Sequence, residues 1–320
     1  MARSDSPPPL TVVALGGNAL LRRGEPATAS NQLQAAHAVA QVLGPVSERT
    51  RLVVTHGNGP QVGLLALKED AYGDGVPYPL DVLDAESGGQ IGYVIELELD
   101  NAIDHQDTVA VITRVLVEAD DPAFGEPTKF IGPIYDEERA GALATERGWI
   151  VKPDGDNWRR VVASPDPKQI VQLGAIRRLV DGGFLVVCVG GGGVPVIADG
   201  SGHTGVEAVI DKDLASALLA VGLDADILVL ATDVDAVYTG WGTPDQRAVA
   251  RTTPARLREE SFAGGSMGPK VEAVCRFVEA TGRRAAIGGL DDLPGLVDAT
   301  AGTQIRADDG EPFGGDRRTG

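Results

Sequence analysis

The residues in this chain best suited to chemistry are lysines and backbone amides placed to meet phosphate. Gly16-Gly17-Asn18, Gly57-Asn58-Gly59-Pro60, Gly190 to Gly193, the opening Val209-Ile210-Asp211-Lys212-Asp213 and Gly265-Ser266-Met267-Gly268-Pro269-Lys270 each follow an apolar run or open a helical pattern. Glycine lets backbone N–H groups approach a polyanion with no Cβ in the way, and a helix N-terminus adds unpaired donors. Lysine then supplies the countercharge.

Each motif also has a plainer reading. Gly16 and Gly17 follow an apolar run at once, so they either admit nucleotide phosphates, with Asn18 donating to the transferred group, or only make a tight turn. Gly57, Asn58 and Gly59 repeat the arrangement, with Pro60 suited to a first helical turn. Four successive glycines, Gly190 to Gly193, are entropically unfavourable to order, which points to close approach of a substrate; a flexible loop is the alternative. Asp211 is a natural N-cap, placing Lys212 in the first turn, and Lys270 stands in the same position of a later helix. A cation there opposes the helix dipole unless an anion is bound nearby. Asp213 either orients the ammonium groups or serves only as a favourable N-terminal charge. Asp233 and Tyr238, in Thr232-Asp233-Val234-Asp235-Ala236-Val237-Tyr238, could border adenine and ribose, with Trp241 and Pro244 completing the wall, or could meet only water. By local pattern Lys129 is a solvated loop lysine. His56 reads as a hydrogen-bonding residue, not a base, and His37, His56, His105 and His203 have no metal-ligand spacing.

Positioning such groups needs a rigid frame. Leu10 to Leu15, Leu52 to Thr55, Thr108 to Thr113, Leu185 to Val189, Ile227 to Ala231 and Ala285 to Ile287 are apolar without alternation, the pattern of strands buried on both faces of a parallel sheet. Helical periodicity lies between them at Leu33, Ala36, Ala40 and Leu43, at Ile91, Val94, Ile95 and Leu99, and at Val271, Val274, Cys275 and Val278. The alternation predicts βαβ units in an α/β fold. It breaks between about 120 and 165, a proline-rich stretch with Trp149 and Trp158 that is too long for an ordinary connection. A small subdomain projecting over the carboxyl edge of the sheet is expected there.

At 320 residues the chain can bury a large core without staples. Its two cysteines, Cys188 and Cys275, lie in apolar patterns and suit a reducing cytoplasm. With 28 Lys plus Arg against 46 Asp plus Glu the net charge is −18, which disfavours nonspecific binding to nucleic acid or anionic membrane. No run approaches the roughly 20 apolar residues that span a bilayer. Residues 1–9 read as a disordered lead-in and 306–320 as a flexible tail. Neither a Walker A pattern nor a Rossmann glycine fingerprint is present.

Taken in order, Val13-Ala14-Leu15-Gly16-Gly17-Asn18-Ala19-Leu20, His56-Gly57-Asn58-Gly59-Pro60-Gln61-Val62-Gly63, Pro127-Thr128-Lys129, Gly190-Gly191-Gly192-Gly193-Val194-Pro195, Gly205-Val206-Glu207-Ala208-Val209-Ile210-Asp211-Lys212-Asp213 and Gly265-Ser266-Met267-Gly268-Pro269-Lys270 resemble carbamate kinases of the amino-acid-kinase superfamily. The resemblance spans roughly 10 to 305. It implies a three-layer α/β/α sandwich on an open, mainly parallel eight-stranded sheet, a homodimer, and reversible phosphoryl transfer between ATP plus carbamate and ADP plus carbamoyl phosphate with Mg²⁺ riding on the nucleotide phosphates. Lys129 then reaches the carbamoyl-phosphate site, Lys212 and Lys270 face the phosphates, Asp213 organises them, and Met267 and Gly268 join Asp233 and Tyr238 around the nucleotide. Asn18 and Asn58 would donate hydrogen bonds, and no general base is required because carbamate is already an anion. Formation of ATP in arginine catabolism is the direction the resemblance suggests. Two departures stand out: Ala163 replaces a proline usual in the family, and Gly88-Gly89 stands in a helix where glutamine and glycine are usual, which is expected to loosen that helix or its dimer contacts. A kinase for another small carboxylate, such as an N-acylated amino acid, and a silent nucleotide-binding regulator remain the alternatives.

Overall fold

In the computed structural model the chain is described at residues 7–16, 19, 25–26, 28–72, 78–260, 262 and 267–308. The first half runs β1 (Leu10–Leu15), α1 (Ala29–Ser47), β2 (Arg51–His56), α2 (Gly59–Tyr72), α3 (Leu80–Ala102), β3 (Thr108–Val111) and β4 (Arg114–Leu116). Next come β5 (Lys129–Tyr135), α4 (Glu137–Arg147), β6 (Ile150–Asp154), β7 (Asn157–Val162), β8 (Gln169–Ile170) and α5 (Leu173–Asp181). The chain continues through β9 (Leu185–Cys188), β10 (Val194–Asp199), β11 (Gly202–Gly205), α6 (Lys212–Leu223), β12 (Ile227–Thr232), β13 (Val237–Thr239) and β14 (Arg247–Val249). Last are β15 (Arg251–Thr252), α7 (Pro254–Glu259), α8 (Met267–Thr281), β16 (Arg284–Gly289), α9 (Leu293–Val297) and β17 (Thr303–Ile305).

The main sheet has the eight strands that the family resemblance implies, in the order β15-β17-β16-β12-β1-β2-β9-β3. Every neighbouring pair is parallel except β16 with β17. Successive side chains leave a strand on opposite faces, and the two cores sort accordingly. Val12 and Ala14, Val186 and Cys188 join α6 and α8 in one core, whereas Val13 and Leu15, Leu185 and Val187 join α1 and α3 in the other. The strands are therefore covered by helices on both sides, which is why their sequences show no polar alternation. β1 lies between β2 and β12, so the strand order reverses there, and the carboxyl ends of these strands form the crevice where open α/β sheets take ligands.

Within the stretch 120–165 the chain builds a separate antiparallel sheet, β5-β7-β6, with α4 beside it. It is seated on α2 and α3 by a small core of Val62, Ala66, Leu80, Leu83, Ile131, Val162 and Val209. The approach of α2 to β5 leaves no room for a side chain at Gly63, whose Cβ would overlap Gly132.

Two expectations meet the structure differently. Where Gly88 and Gly89 were expected to loosen the helix, α3 continues through both, because the packing of its Ile91, Ile95 and Leu99 face outweighs the weak helix propensity of two glycines. Of the expected lead-in, the carbonyls of Pro8 and Pro9 accept from Arg51, and Arg306 of the expected tail donates its N–H to Thr252, so both boundaries are tied to the sheet. Residues 1–6 and 309–320 lie outside the described residues.

Candidate active site

The turns singled out in the sequence do gather at the carboxyl edge of the main sheet. Gly16 follows β1, Gly57 follows β2, Gly190 to Gly193 follow β9, and Asp233 follows β12. Gly57 N–H donates to the Leu15 carbonyl at 3.3 Å, drawing the first two turns together. Gly59 and Pro60 open α2, and the N–H groups of Gln61 and Val62 in its first turn donate to the Asn58 carbonyl. Gly17 and Asn18 lie outside the described residues, as do Gly265 and Ser266.

Asn58 differs from expectation. Its side chain is buried, and its amide nitrogen donates to Asp84 Oδ1 at 2.5 Å and to Ser87 Oγ at 2.9 Å, both on α3. Both amide protons are thereby engaged by the protein. Asn58 braces the turn from behind, and Gly191 packs so closely against it that a Cβ there would overlap the amide. The sequence reading missed Asp84 and Ser87, although their three-residue spacing places them on one helical face.

The glycine loop also has a reason that sequence alone did not give. Gly191, Gly192 and Gly193 have φ values of 72, 98 and 86°, and Cβ atoms on Gly192 and Gly193 would overlap the Ile210 carbonyl and Val115. The N–H groups of Gly192 and Gly193 donate within the loop, to Val189 and Gly190 carbonyls. Val189 itself sits at φ 52°, a strained conformation for a β-branched residue, of order 1–3 kcal/mol. Thr113 Oγ1 holds it by accepting from Val189 N–H at 3.1 Å. The loop is thus a packed scaffold, not a flexible connection.

The lysines converge where α6 and α8 pack together. Asp211 caps α6 as expected, its Oδ1 accepting from the N–H groups of Asp213 and Leu214. Asp213, two residues further on, bridges two ammonium groups: Lys212 Nζ at 2.6 Å on Oδ1 and Lys270 Nζ at 2.9 Å on Oδ2. All three are nearly buried, with side chains 12, 5 and 13% exposed. Burial pushes the Asp213 carboxyl up, but the Lys212 and Lys270 ammoniums outweigh it and hold the group well below the usual carboxylate range. Burial lowers Lys212, only partly opposed by Asp213, while at Lys270 the pull of Asp213 exceeds the effect of burial and raises it. Lys129, from β5, joins the same edge by bonding Asp211 Oδ2 at 2.6 Å. Three ammoniums are thereby gathered on two carboxylates, Asp211 and Asp213, in an otherwise acidic protein.

On the other flank, Asp233 accepts from Thr232 Oγ1 and lies close enough to Lys270 to raise its proton affinity. Tyr238 bonds Asp235 and meets Trp241 edge-on at 5.4 Å between ring centroids; Trp241 is 64% exposed. Met267 and Gly268 form the first turn of α8, next to Lys270. His56 is buried, and desolvation lowers it to about 4, with Lys212 adding to the shift and its bond to the Gly57 carbonyl opposing it; the ring is neutral. A cavity of about 400 Å³ lies on the far side of the glycine loop, between α3 and β3, and is lined by His56, Asp84, Gly88, Glu96 and Gly190 but by none of the lysines. Among the described residues no group of three His, Cys, Asp or Glu side chains could hold a metal ion, and no helix is long and apolar enough to cross a membrane.

What the cluster can do chemically is neutralise a transferring phosphoryl group between two helix N-termini. Comparison with known proteins places the chain as a whole. The profile of the amino acid kinase family matches residues 9–289. A carbamate kinase of Rhizobium meliloti (strain 1021) is 55% identical over 298 residues, covering 92% of each chain. One from Escherichia coli (strain K12) is 51% identical over 294 residues, 92% of this chain and 98% of the other. The solved structure of carbamate kinase from Giardia lamblia bound to AMP-PNP superposes with a TM-score of 0.87 at 36% identity, covering 94% of this chain and 99% of that one.

Proposed function

Since this chain belongs to the amino acid kinase family, we propose that it is a carbamate kinase, interconverting ATP plus carbamate with ADP plus carbamoyl phosphate. The relatives at 51 to 55% identity over almost the whole chain support the activity. The observation that carries the site assignment is the buried bridge from Lys212 through Asp213 to Lys270, with Lys129 brought to the same edge from a different sheet.

In the ATP-forming direction a terminal phosphate oxygen of ADP attacks the phosphorus of carbamoyl phosphate in line. The new P–O bond forms as the bond to the carbamate oxygen breaks, and carbamate leaves as an anion. No proton has to move, so no general base is needed, in keeping with a neutral, buried His56. Rate enhancement then rests on positioning and on charge already in place. Lys212 and Lys270 each keep ammonium protons beyond the one given to Asp213 and offer them to the equatorial phosphoryl oxygens. Asp213, held ionised, fixes both. Lys129 offers its remaining protons to the carbamoyl end. Gly16 and Gly57 let the phosphates approach, with Asn18 as a donor, whereas Asn58 and Gly191 to Gly193 shape the floor. Asp233, Tyr238, Met267 and Gly268 surround the nucleotide. Mg²⁺ enters on the ADP or ATP phosphates as part of the substrate, because both carboxylates of the cluster already have ammonium partners.

The enzyme works in this reading as a cytoplasmic homodimer that forms ATP during carbamoyl-phosphate breakdown in arginine catabolism, with the sheet β5-β7-β6 as a projecting subdomain. Two buried free thiols, Cys188 and Cys275, suit that compartment. The test is a coupled assay of ATP formation from ADP, Mg²⁺ and carbamoyl phosphate, with acetyl phosphate and N-acetylglutamyl phosphate as competing donors. Selective use of carbamoyl phosphate is expected. Turnover of another acyl phosphate in its place, or nucleotide binding with no turnover at all, would overturn the proposal.

A further inference from the structure

We propose that Asp211 is a positioning residue that sets Lys129 against the phosphate-handling lysine pair, so that one carboxylate registers the small sheet on the catalytic helix. The proposal rests on the function just assigned and adds a residue with a distinct task.

The two oxygens of Asp211 face different parts of the molecule. Oδ1 takes two N–H groups of the first turn of α6, at 2.9 and 3.4 Å, which immobilises the carboxylate. Oδ2 takes Lys129 Nζ at 2.6 Å, and Asp211 is only 9% exposed. A lysine side chain has four rotatable bonds and, left alone at the mouth of a cleft, samples many rotamers. Here its end point is fixed by a carboxylate that cannot move.

The backbone sets up the meeting. Lys129 pairs with Val162 across β5 and β7, and Thr128 N–H donates to the Val162 carbonyl. The next residue, Ala163, accepts from Val209 N–H at 3.0 Å and forms a parallel bridge with Ala208. Asp211 follows two residues later. The small sheet is therefore stitched to the segment entering α6, and the ion pair lies at the end of that seam. Ala163, where the family usually has proline, contributes only its carbonyl, so the substitution keeps the seam.

Two opposite roles are possible for such a pair, and the bonding decides between them. A carboxylate competing with the substrate would have to absorb the ammonium's donors. Among the described residues Lys129 Nζ has one hydrogen-bond partner, Asp211, which leaves two of its three N–H groups available to a ligand. Asp211 thus aims the ammonium and leaves it able to bind.

The test is Asp211→Asn, whose side-chain oxygen preserves the cap while its NH₂ group cannot accept from Lys129, with Asp211→Ser as a second cap-keeping variant. Expected are a KM for carbamoyl phosphate about tenfold higher in both variants, a KM for ADP within about twofold of the wild type, and an unchanged melting temperature. Adding Asp211→Asn to Lys129→Ala should bring no further rise, because Asp211 acts through Lys129. An unchanged or lower KM for carbamoyl phosphate, a parallel rise for ADP, additivity in the double variant, or failure of both variants to fold would each overturn the assignment. Absence of carbamoyl-phosphate turnover in the wild type would instead overturn the proposed function.

Discussion

Asp213 and Asp84 are carboxylates buried almost equally, 4 and 1% exposed, yet the protein shifts them in opposite directions. Asp213 has two ammonium partners and stays ionised well below the normal range. Among the described residues Asp84 has no cation partner and its Oδ2 has no hydrogen-bond partner: burial pushes it up to about 8, the bond from Asn58 opposes this, and nearby Asp81 adds to it. Burial alone therefore does not decide charge; the partner does. The consequence is a division of labour across the glycine loop. The paired lysines and their buried ionised carboxylate stand on one side, and on the α3 side Asn58 is braced by a buried carboxyl that is largely neutral at pH 7.

The contrast can be broken most forcefully at Asp213. Asp213→Ala leaves Lys212 and Lys270 buried without a counter-ion, and unfolding in denaturant should show a loss of about 3–5 kcal/mol. A loss below about 1 kcal/mol would mean that the two ammoniums are compensated elsewhere. Lys212→Ala and Lys270→Ala remove charge stabilisation of the transferring phosphoryl group, so turnover in the ATP-forming assay should fall on the order of 10² or more. Near-normal turnover in both would remove them from the catalytic role. Lys129→Ala should act more narrowly, raising the KM for carbamoyl phosphate about tenfold with little effect on ADP.

Titration sharpens the same contrast with smaller effects. The native value of Asp213 lies below the ordinary 3.8, so its contribution to stability is present above about pH 4 and lost as pH falls toward the native value. The difference in stability between wild type and Asp213→Ala should therefore shrink in acid. Asp84 has the opposite sign: between 3.8 and about 8 the native carboxyl holds a proton that the unfolded chain has released, so stability declines as pH rises through that window. Asp84→Asn should gain a few degrees in melting temperature on the wild type at pH 9 and little at pH 4. A constant difference across that range would show that Asp84 is not the titrating group.

The frame of this molecule is legible in sequence because its strands are buried on both faces. Leu10 to Leu15 is identical in both readings, and Leu52 to Thr55 lengthens by one residue at each end. The short strands β4, β8 and β15 have two or three residues each, too few to carry a period, and their pairing is set by distant partners. At the site, local rules placed Lys212 and Asp213 because capping is a matter of neighbours in sequence. They failed for Lys129, whose partner Asp211 is 82 residues away, and the resemblance alone gave it a role. Glycine was the ambiguous letter. Gly191 to Gly193 answer to positive φ and to tight packing against Asn58, Ile210 and Val115, which no local pattern distinguishes from openness to a ligand.

The position of β1 at the centre of the sheet also bears on how the chain is born. Its partner β2 follows within 41 residues, but Leu10 N–H donates to Asp226, and Thr11 pairs with Ile227, across 216 residues of sequence. At roughly 5–20 residues per second of synthesis, one side of the central strand waits about 10–40 s for its neighbour. Until then an apolar ribbon and a row of unsatisfied amides are exposed, so chains stalled before Ile227 should be cut readily by protease, and those released past β16 should resist. Equal resistance in both would mean that the amino-terminal half closes its own edge while the ribosome is still working.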